Sequence, residues 1–182
     1  LILTPPGLVE QWQEELATKF DLPDFVTSNA PEFRSLGTEA WAHYPRVIAS
    51  LATARRADHA QATTALEYDL VIVDEAHHLK NRSSASWQLV NALQKKYILL
   101  LTATPHSGVE ASFQSLLGLL QPAFRGYRLT QLSQDERREL AQHFVQRRRA
   151  DVRLWMGAET PFPQRDTEGA EPVCVRVGDD FL

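Results

Sequence analysis

Four short, near-continuously apolar stretches constrain this chain more than any other feature: Leu1–Leu3, Val47–Ala49, Leu70–Val73 and Tyr97–Leu101. None alternates polar with apolar residues, so none reads as a strand with one wet face. A strand that is apolar on both sides needs cover on both sides, which is the condition of a parallel sheet held between helices. A fifth, weaker run lies at Phe25-Val26. The intervening segments carry helical signals. Leu8, Trp12, Leu16 and Phe20 recur every four residues and build one apolar stripe. Thr4 ahead of Pro5-Pro6 supplies a cap and prolines suited to a first turn. Ser83 and Ser84 precede a helix through Trp87, Val90 and Leu93, and Phe113, Leu116, Leu117 and Leu120 mark another that Pro122 ends. Ser133 and Glu136 have capping-box spacing for a helix running to about Arg148. Strands alternating with helices predict a doubly wound α/β layer.

Composition agrees with such a layer. The chain has 182 residues, 43% hydrophobic and 23% charged, and a chain of this size can bury on the order of 70% of its unfolded surface. A single cysteine, Cys174, excludes an internal disulfide and a Cys-rich zinc site; it reads as an inert strand residue. No apolar run approaches the ~18 residues of a membrane span. The net charge of −4 excludes a generic basic nucleic-acid coat and leaves room for a local site. Residues 157–172 hold Pro161, Pro163, Gly169 and Pro172 and read as a linker, followed by an alternating run at Val173–Val177. The chain opens on Leu1 inside an apolar run, and the expectation is a piece of a longer protein.

The chemistry concentrates at strand ends. Leu70–Val73 runs directly into Asp74, Glu75, Ala76, His77 and His78. In open α/β sheets ligands gather at the carboxyl ends of strands. An Asp there can hold Mg²⁺, chiefly through water, and a neighbouring Glu can orient or deprotonate an attacking water. Zinc ligation by the histidines is disfavoured, because neighbours on a helix diverge by about 100° and the His-Glu-x-x-His spacing is absent. The next apolar run ends in Thr102 and Thr104, followed by Pro105, and the first ends in Thr4, ahead of a predicted helix N-terminus suited to a phosphate. Trp12, Trp41 and Trp87 read as core; Trp155 follows a basic stretch and is left open. Arg55-Arg56 reads as either a phosphate contact or a solvated face.

Taken together, these segments resemble the superfamily-two helicase-like ATPases, and within them the Swi/Snf-type translocases, including the bacterial RapA-like branch. Thr4-Pro5-Pro6-Gly7-Leu8 with Gln11-Trp12 is similar to motif Ia, and Val47–Leu51 to the motif Ib region. Asp74-Glu75-Ala76-His77 with Leu79-Lys80-Asn81 is similar to motif II, and Leu101–Pro105 to motif III. Arg147–Val152 and Phe162–Arg165 resemble the hand-over to a second lobe, although Gln146 stands where the first arginine of the family pair is expected.

The resemblance implies a RecA-like parallel β-sheet flanked by helices, a three-layer α/β/α arrangement lacking its P-loop strand. It implies a partial N-terminal lobe over residues 1–156 and a linker over 157–182. ATP and Mg²⁺ would be the cofactors. Asp74 would support Mg²⁺ through water, Glu75 would activate the hydrolytic water, and His77 would couple nucleotide state to motif III. Thr102 and Thr104 would relay that state toward DNA, and Thr4, Pro5 and Ser50 would meet phosphates of the tracked strand, positioning the protein without reading bases. Double-stranded DNA is the implied partner, with RNA polymerase or a defence complex left open and no membrane; the implied location is cytoplasmic, nucleoid-associated in a prokaryote. None of the lysines (Lys19, Lys80, Lys95, Lys96) follows a glycine, so these residues contain no P-loop. The cradle is expected upstream of Leu1, the second lobe beyond Leu182, and the piece alone is expected to hydrolyse almost nothing. Two alternatives stand beside this reading: a non-catalytic DNA- or protein-binding module, and the motor part of a restriction or phage-defence system.

Overall fold

The computed structural model describes residues 1–104 and 110–145. Five strands form one sheet: β1 (Ile2–Thr4), β2 (Val26–Thr27), β3 (Val47–Ser50), β4 (Glu67–Val73) and β5 (Gln94–Leu100). Their spatial order is β2-β3-β1-β4-β5 and every pairing is parallel. The helices are α1 (Val9–Phe20), α2 (Pro31–Leu36), α3 (Ala40–His43), α4 (Leu51–Ala54), α5 (Ala57–Thr64), α6 (Ala85–Ala92), α7 (Glu110–Leu120) and α8 (Gln134–Gln142). Residues through His143 form one compact unit. The basic cluster Arg147–Arg149, Pro105, Trp155, the expected linker and the run at Val173–Val177 lie outside the described residues.

The layers follow from which face each strand residue takes. Ile2, Ile48 and Ile72 share a face by register, and Val9, Trp12 and Leu16 of α1 pack onto it. Leu3, Ala49 and Val73 point the other way, into a larger cluster with Trp41, Trp87, Val90 and Leu116. That is the expected helix–sheet–helix sandwich, with every residue of β1 and β3 buried. Side-chain caps open α6 and α8. Ser84 accepts from the Trp87 N–H, and Ser133 and Glu136 form the complete capping box. The Trp87 indole donates to the Ser115 carbonyl at 2.9 Å and so ties α6 to α7.

The structure departs from the sequence expectations in four places. Strands β4 and β5 start earlier than their apolar runs, on the pairs Glu67↔Gln94 and Tyr68↔Lys95: Glu67 and Gln94 are exposed, while Lys95 turns back to donate to the Val90 and Leu93 carbonyls at 2.9 and 3.0 Å. Among the described residues strand β5 is an edge, and register places Leu70, Tyr97 and Leu99 on the face of α1 but beyond its cover, leaving Tyr97 71% exposed. Thr4 is not a side-chain cap: a 3-10 turn at Pro6–Leu8 precedes α1, and Leu8 at its N-cap makes no capping hydrogen bond. Helix α8 stops at Gln142, with His143 as its C-cap, and does not run to Arg148.

Candidate active site

The strands end in register along one edge. Thr4 pairs with Ser50, Leu3 with Val73, and Val73 with Leu100. The ladder continues one residue further, since the Asp74 N–H donates to Leu3 O at 2.8 Å and the Leu101 N–H to Val73 O at 2.9 Å. Residues 4, 50, 74 and 101 therefore stand in one row at the carboxyl ends of adjacent strands.

Asp74 is held by three donors. The Glu75 N–H donates to its Oδ1 at 2.8 Å, the Trp12 indole N–H to its Oδ2 at 2.8 Å, and the Thr4 hydroxyl to the same oxygen at 3.4 Å. A cleft of about 470 Å³, lined by Trp12, Leu16, Ile72 and Asp74 among others, runs beside it. Glu75 has left-handed backbone angles, φ 48° and ψ 45°. For a residue with a Cβ this costs roughly 1–2 kcal/mol and persists only where the surroundings enforce it. The enforcement is visible next door. Ala76 is fully buried, and its N–H donates to the Leu101 carbonyl at 2.8 Å, pinning the turn after β4 to the end of β5. His77 Nδ1 lies 2.8 Å from Glu75 Oε2, at an angle outside hydrogen-bond geometry, and this buried nitrogen has no hydrogen-bond partner. Imidazole and carboxylate are thus in reach of a bond that a small rotation would complete.

The other expected site residues are placed as follows. Thr102 is half-buried, and its hydroxyl accepts from the Thr104 N–H at 3.2 Å, which shapes the loop after β5. Thr4 and Ser50, expected at phosphates, are both buried and turned inward. The Thr4 hydroxyl faces Asp74, and Ser50 Oγ caps α4 by accepting from the Thr53 N–H. Their side chains meet the site and the helix, because strand ends this deep in a sheet leave hydroxyls no water to bond. Pro5 is half-buried, with Pro6 and Gly7 exposed beside it. Trp41 and Trp87 are core as expected; Trp12 packs against the smaller core cluster, and its indole N–H also reaches the site. The missed signal was that a tryptophan at a sheet's carboxyl edge needs a partner for its N–H. His77 and His78 sit on a 3-10 turn with rings 4.2 Å apart, and no group of three or more His, Cys, Asp or Glu that could hold a metal exists among the described residues. That donor set fits no zinc cage. It does fit Mg²⁺, a hard cation that keeps most of its waters and takes one or two carboxylates plus phosphate oxygens.

A parallel sheet between helix layers, with an Asp-Glu pair at the end of an inner strand, defines a RecA-like α/β lobe. The SNF2-related domain matches residues 1–142, and the chain belongs to that family. A Bacillus subtilis protein described as an uncharacterised ATP-dependent helicase, YqhH, is 40% identical over 126 residues, covering 69% of this chain and 21% of that protein. The RNA polymerase-associated protein RapA of Pseudomonas fluorescens is 34% identical over 128 residues, covering 67% of this chain and 14% of RapA. The chain therefore spans about a fifth or less of these relatives. The SWI2/SNF2 ATPase core of Sulfolobus solfataricus in complex with double-stranded DNA superposes with a TM-score of 0.63 at 21% identity, over 81% of this chain and 33% of that one; this likeness shows the fold. No helix among the described residues is long and apolar enough to cross a membrane.

Proposed function

We propose that this chain is the first motor lobe of an ATP-dependent, Swi/Snf-type translocase on double-stranded DNA. The observation that carries the reading is the turn after β4, where Glu75 is held in a strained backbone between the anchored Asp74 and the Ala76–Leu101 bond. Enforced strain clusters at functional sites, so at an acidic pair on a strand end it supports a working site over a mere helix cap. Asp74 would hold a hydrated Mg²⁺, which would supply neutralisation of charge on the phosphates. Glu75 takes a proton from the attacking water, and His77 steadies its carboxylate. The Ala76–Leu101 bond passes any shift of this turn to the loop of Thr102 and Thr104. The DNA backbone meets the exposed turn at Pro6-Gly7 and the start of α4, while the buried Thr4 and Ser50 hold those turns in shape. The phosphate cradle comes from elsewhere in the whole protein, and the bare β5 edge with Tyr97 and Leu99 offers the place for its strand. On this reading residues 1–156 are a partial first lobe and residues 157–182 a linker toward a second.

Double-stranded DNA is bound to the Sulfolobus core, and RNA polymerase is the partner in RapA's name; the present reading takes duplex DNA. The test is ATP hydrolysis by the whole protein with and without duplex DNA. DNA should stimulate it, and Glu75→Gln should lower it at least about 100-fold. Unchanged hydrolysis in that variant overturns the reading. Absence of hydrolysis in the whole protein, with DNA binding retained, would instead make the lobe a binding module.

A further inference from the structure

We propose that Trp12 is a positioning residue for Asp74, and that their hydrogen bond ties the start of α1 to the carboxylate facing Mg²⁺. This rests on the functional reading above for its consequence, but not for its geometry. Trp12 and Asp74 are 62 residues apart, and the indole N–H meets Asp74 Oδ2 at 2.8 Å. An indole nitrogen only donates, so the bond has one possible direction. A carboxylate has about four lone-pair sites. Glu75 N–H takes one on Oδ1, while Trp12 takes one on Oδ2 with the Thr4 hydroxyl at a longer 3.4 Å. A site remains for a water of a hydrated cation, and Asp74 is only half-buried.

The carboxylate torsion of aspartate is broad and loosely defined by itself. Opposed donors on its two oxygens define it. Of the donors on Oδ2, only the indole is at full hydrogen-bond distance, so removing it leaves that oxygen to a weak hydroxyl contact. The indole is itself fixed, because Trp12 packs against the cluster of Ile2, Val9, Leu16 and Ile48 between α1 and the sheet. Helix α1 follows directly on the exposed Pro6-Gly7 turn. A displacement of that turn therefore moves the donor, and through it the carboxylate. Phenylalanine would fill the same apolar space, so packing alone does not call for tryptophan.

Two measurements test this. In the ¹⁵N-labelled 182-residue chain, the Trp12 indole resonance is identified by its loss in Trp12→Phe. Its N–H should exchange slowly, and in Asp74→Ala it should move upfield and exchange at least about tenfold faster, as for a lost bond worth some 1.4 kcal/mol. An indole resonance that ignores Asp74→Ala overturns the proposal, whatever the protein does. In the whole protein, Trp12→Phe should raise the Mg²⁺ concentration for half-maximal hydrolysis about tenfold, as loss of an outer-shell partner does, with the ATP KM at saturating Mg²⁺ unchanged. A merely structural role would lower the melting temperature and leave the Mg²⁺ dependence alone, and that result also overturns it. A whole protein without hydrolysis would refute the functional reading and leave the resonance test standing.

Discussion

The Ala76 N–H and the Leu101 carbonyl meet at 2.8 Å and join the turn after β4 to the end of β5. Ala76 is the first residue of its 3-10 turn, a position where proline is ordinarily welcome because the N–H there is idle. Here that N–H is engaged. Proline would remove it and would also drive the preceding Glu75 toward extended backbone. Ala76→Pro should therefore cost about 2 kcal/mol, within the range for a lost buried hydrogen bond. Urea unfolding of the 182-residue chain reads this as a lower midpoint at constant slope. An unchanged midpoint would mean the bond contributes nothing.

Glu75 makes the opposite case, in which stability and activity part company. Its left-handed backbone is cheap only for glycine. Glu75→Gly should stabilise the chain by about 1 kcal/mol, a rise of roughly 2–4 °C in melting temperature for a protein of this size. Glu75→Ala keeps a Cβ and should show no such gain. In the whole protein both variants should be inactive. A glycine variant that melts at or below the alanine variant would show that the turn is not strained.

Tyr68 carries a buried hydroxyl without a hydrogen-bond partner, and burial pushes its pKa up to about 12 from the ordinary 10. The folded state then holds a proton that the unfolded state releases above pH 10, so stability falls as pH rises from 10 and levels off above 12. Tyr68→Phe removes both the unpaired group and this titration. It should be neutral to about 1 kcal/mol stabilising at pH 7, and the wild-type loss between pH 10 and 12 should shrink. Identical alkaline profiles for the two chains would refute the assignment.

The legible and illegible parts divide along physical lines. The cores of β1, β3 and β4 were visible because a parallel strand buried on both faces has almost no polar alternative. The acidic pair was visible because chemistry at a strand's carboxyl end needs those side chains in that order. The polar starts of β4 and β5 were not, since Glu67, Gln94 and Lys95 owe their strand geometry to a neighbour and not to their own preference. The inward turn of Thr4 and Ser50 was hidden for a related reason: a hydroxyl at a strand end can serve a ligand, a cap or a carboxylate, and only packing chooses. Trp12 was hidden by its own stripe, since a four-residue period says which residues face the sheet and nothing about where an indole N–H ends.

Helix α8 gives the last prediction, because it buries none of its own residues. Its order depends on the capping box and on the Tyr127 hydroxyl, which donates to Glu139 at 2.7 Å. The Ser133 N–H donates to the Glu136 carboxylate, and this bond is the largest cause holding the Glu136 pKa below its ordinary 4.5. A lowered carboxylate pKa contributes order above 4.5 that is lost as pH falls through the folded value. Ser133→Ala should therefore fray α8 at neutral pH by about 1 kcal/mol, read as roughly fivefold faster amide exchange over residues 134–142. The global unfolding midpoint should scarcely move, since local opening of an exposed helix need not involve the sheet. In the wild type the same fraying should appear on acidification below pH 4.5, and Glu136→Gln, which keeps an acceptor but no charge, should lose that pH dependence. Exchange over α8 that tracks global unfolding in every variant would show that the helix is anchored by something other than its cap.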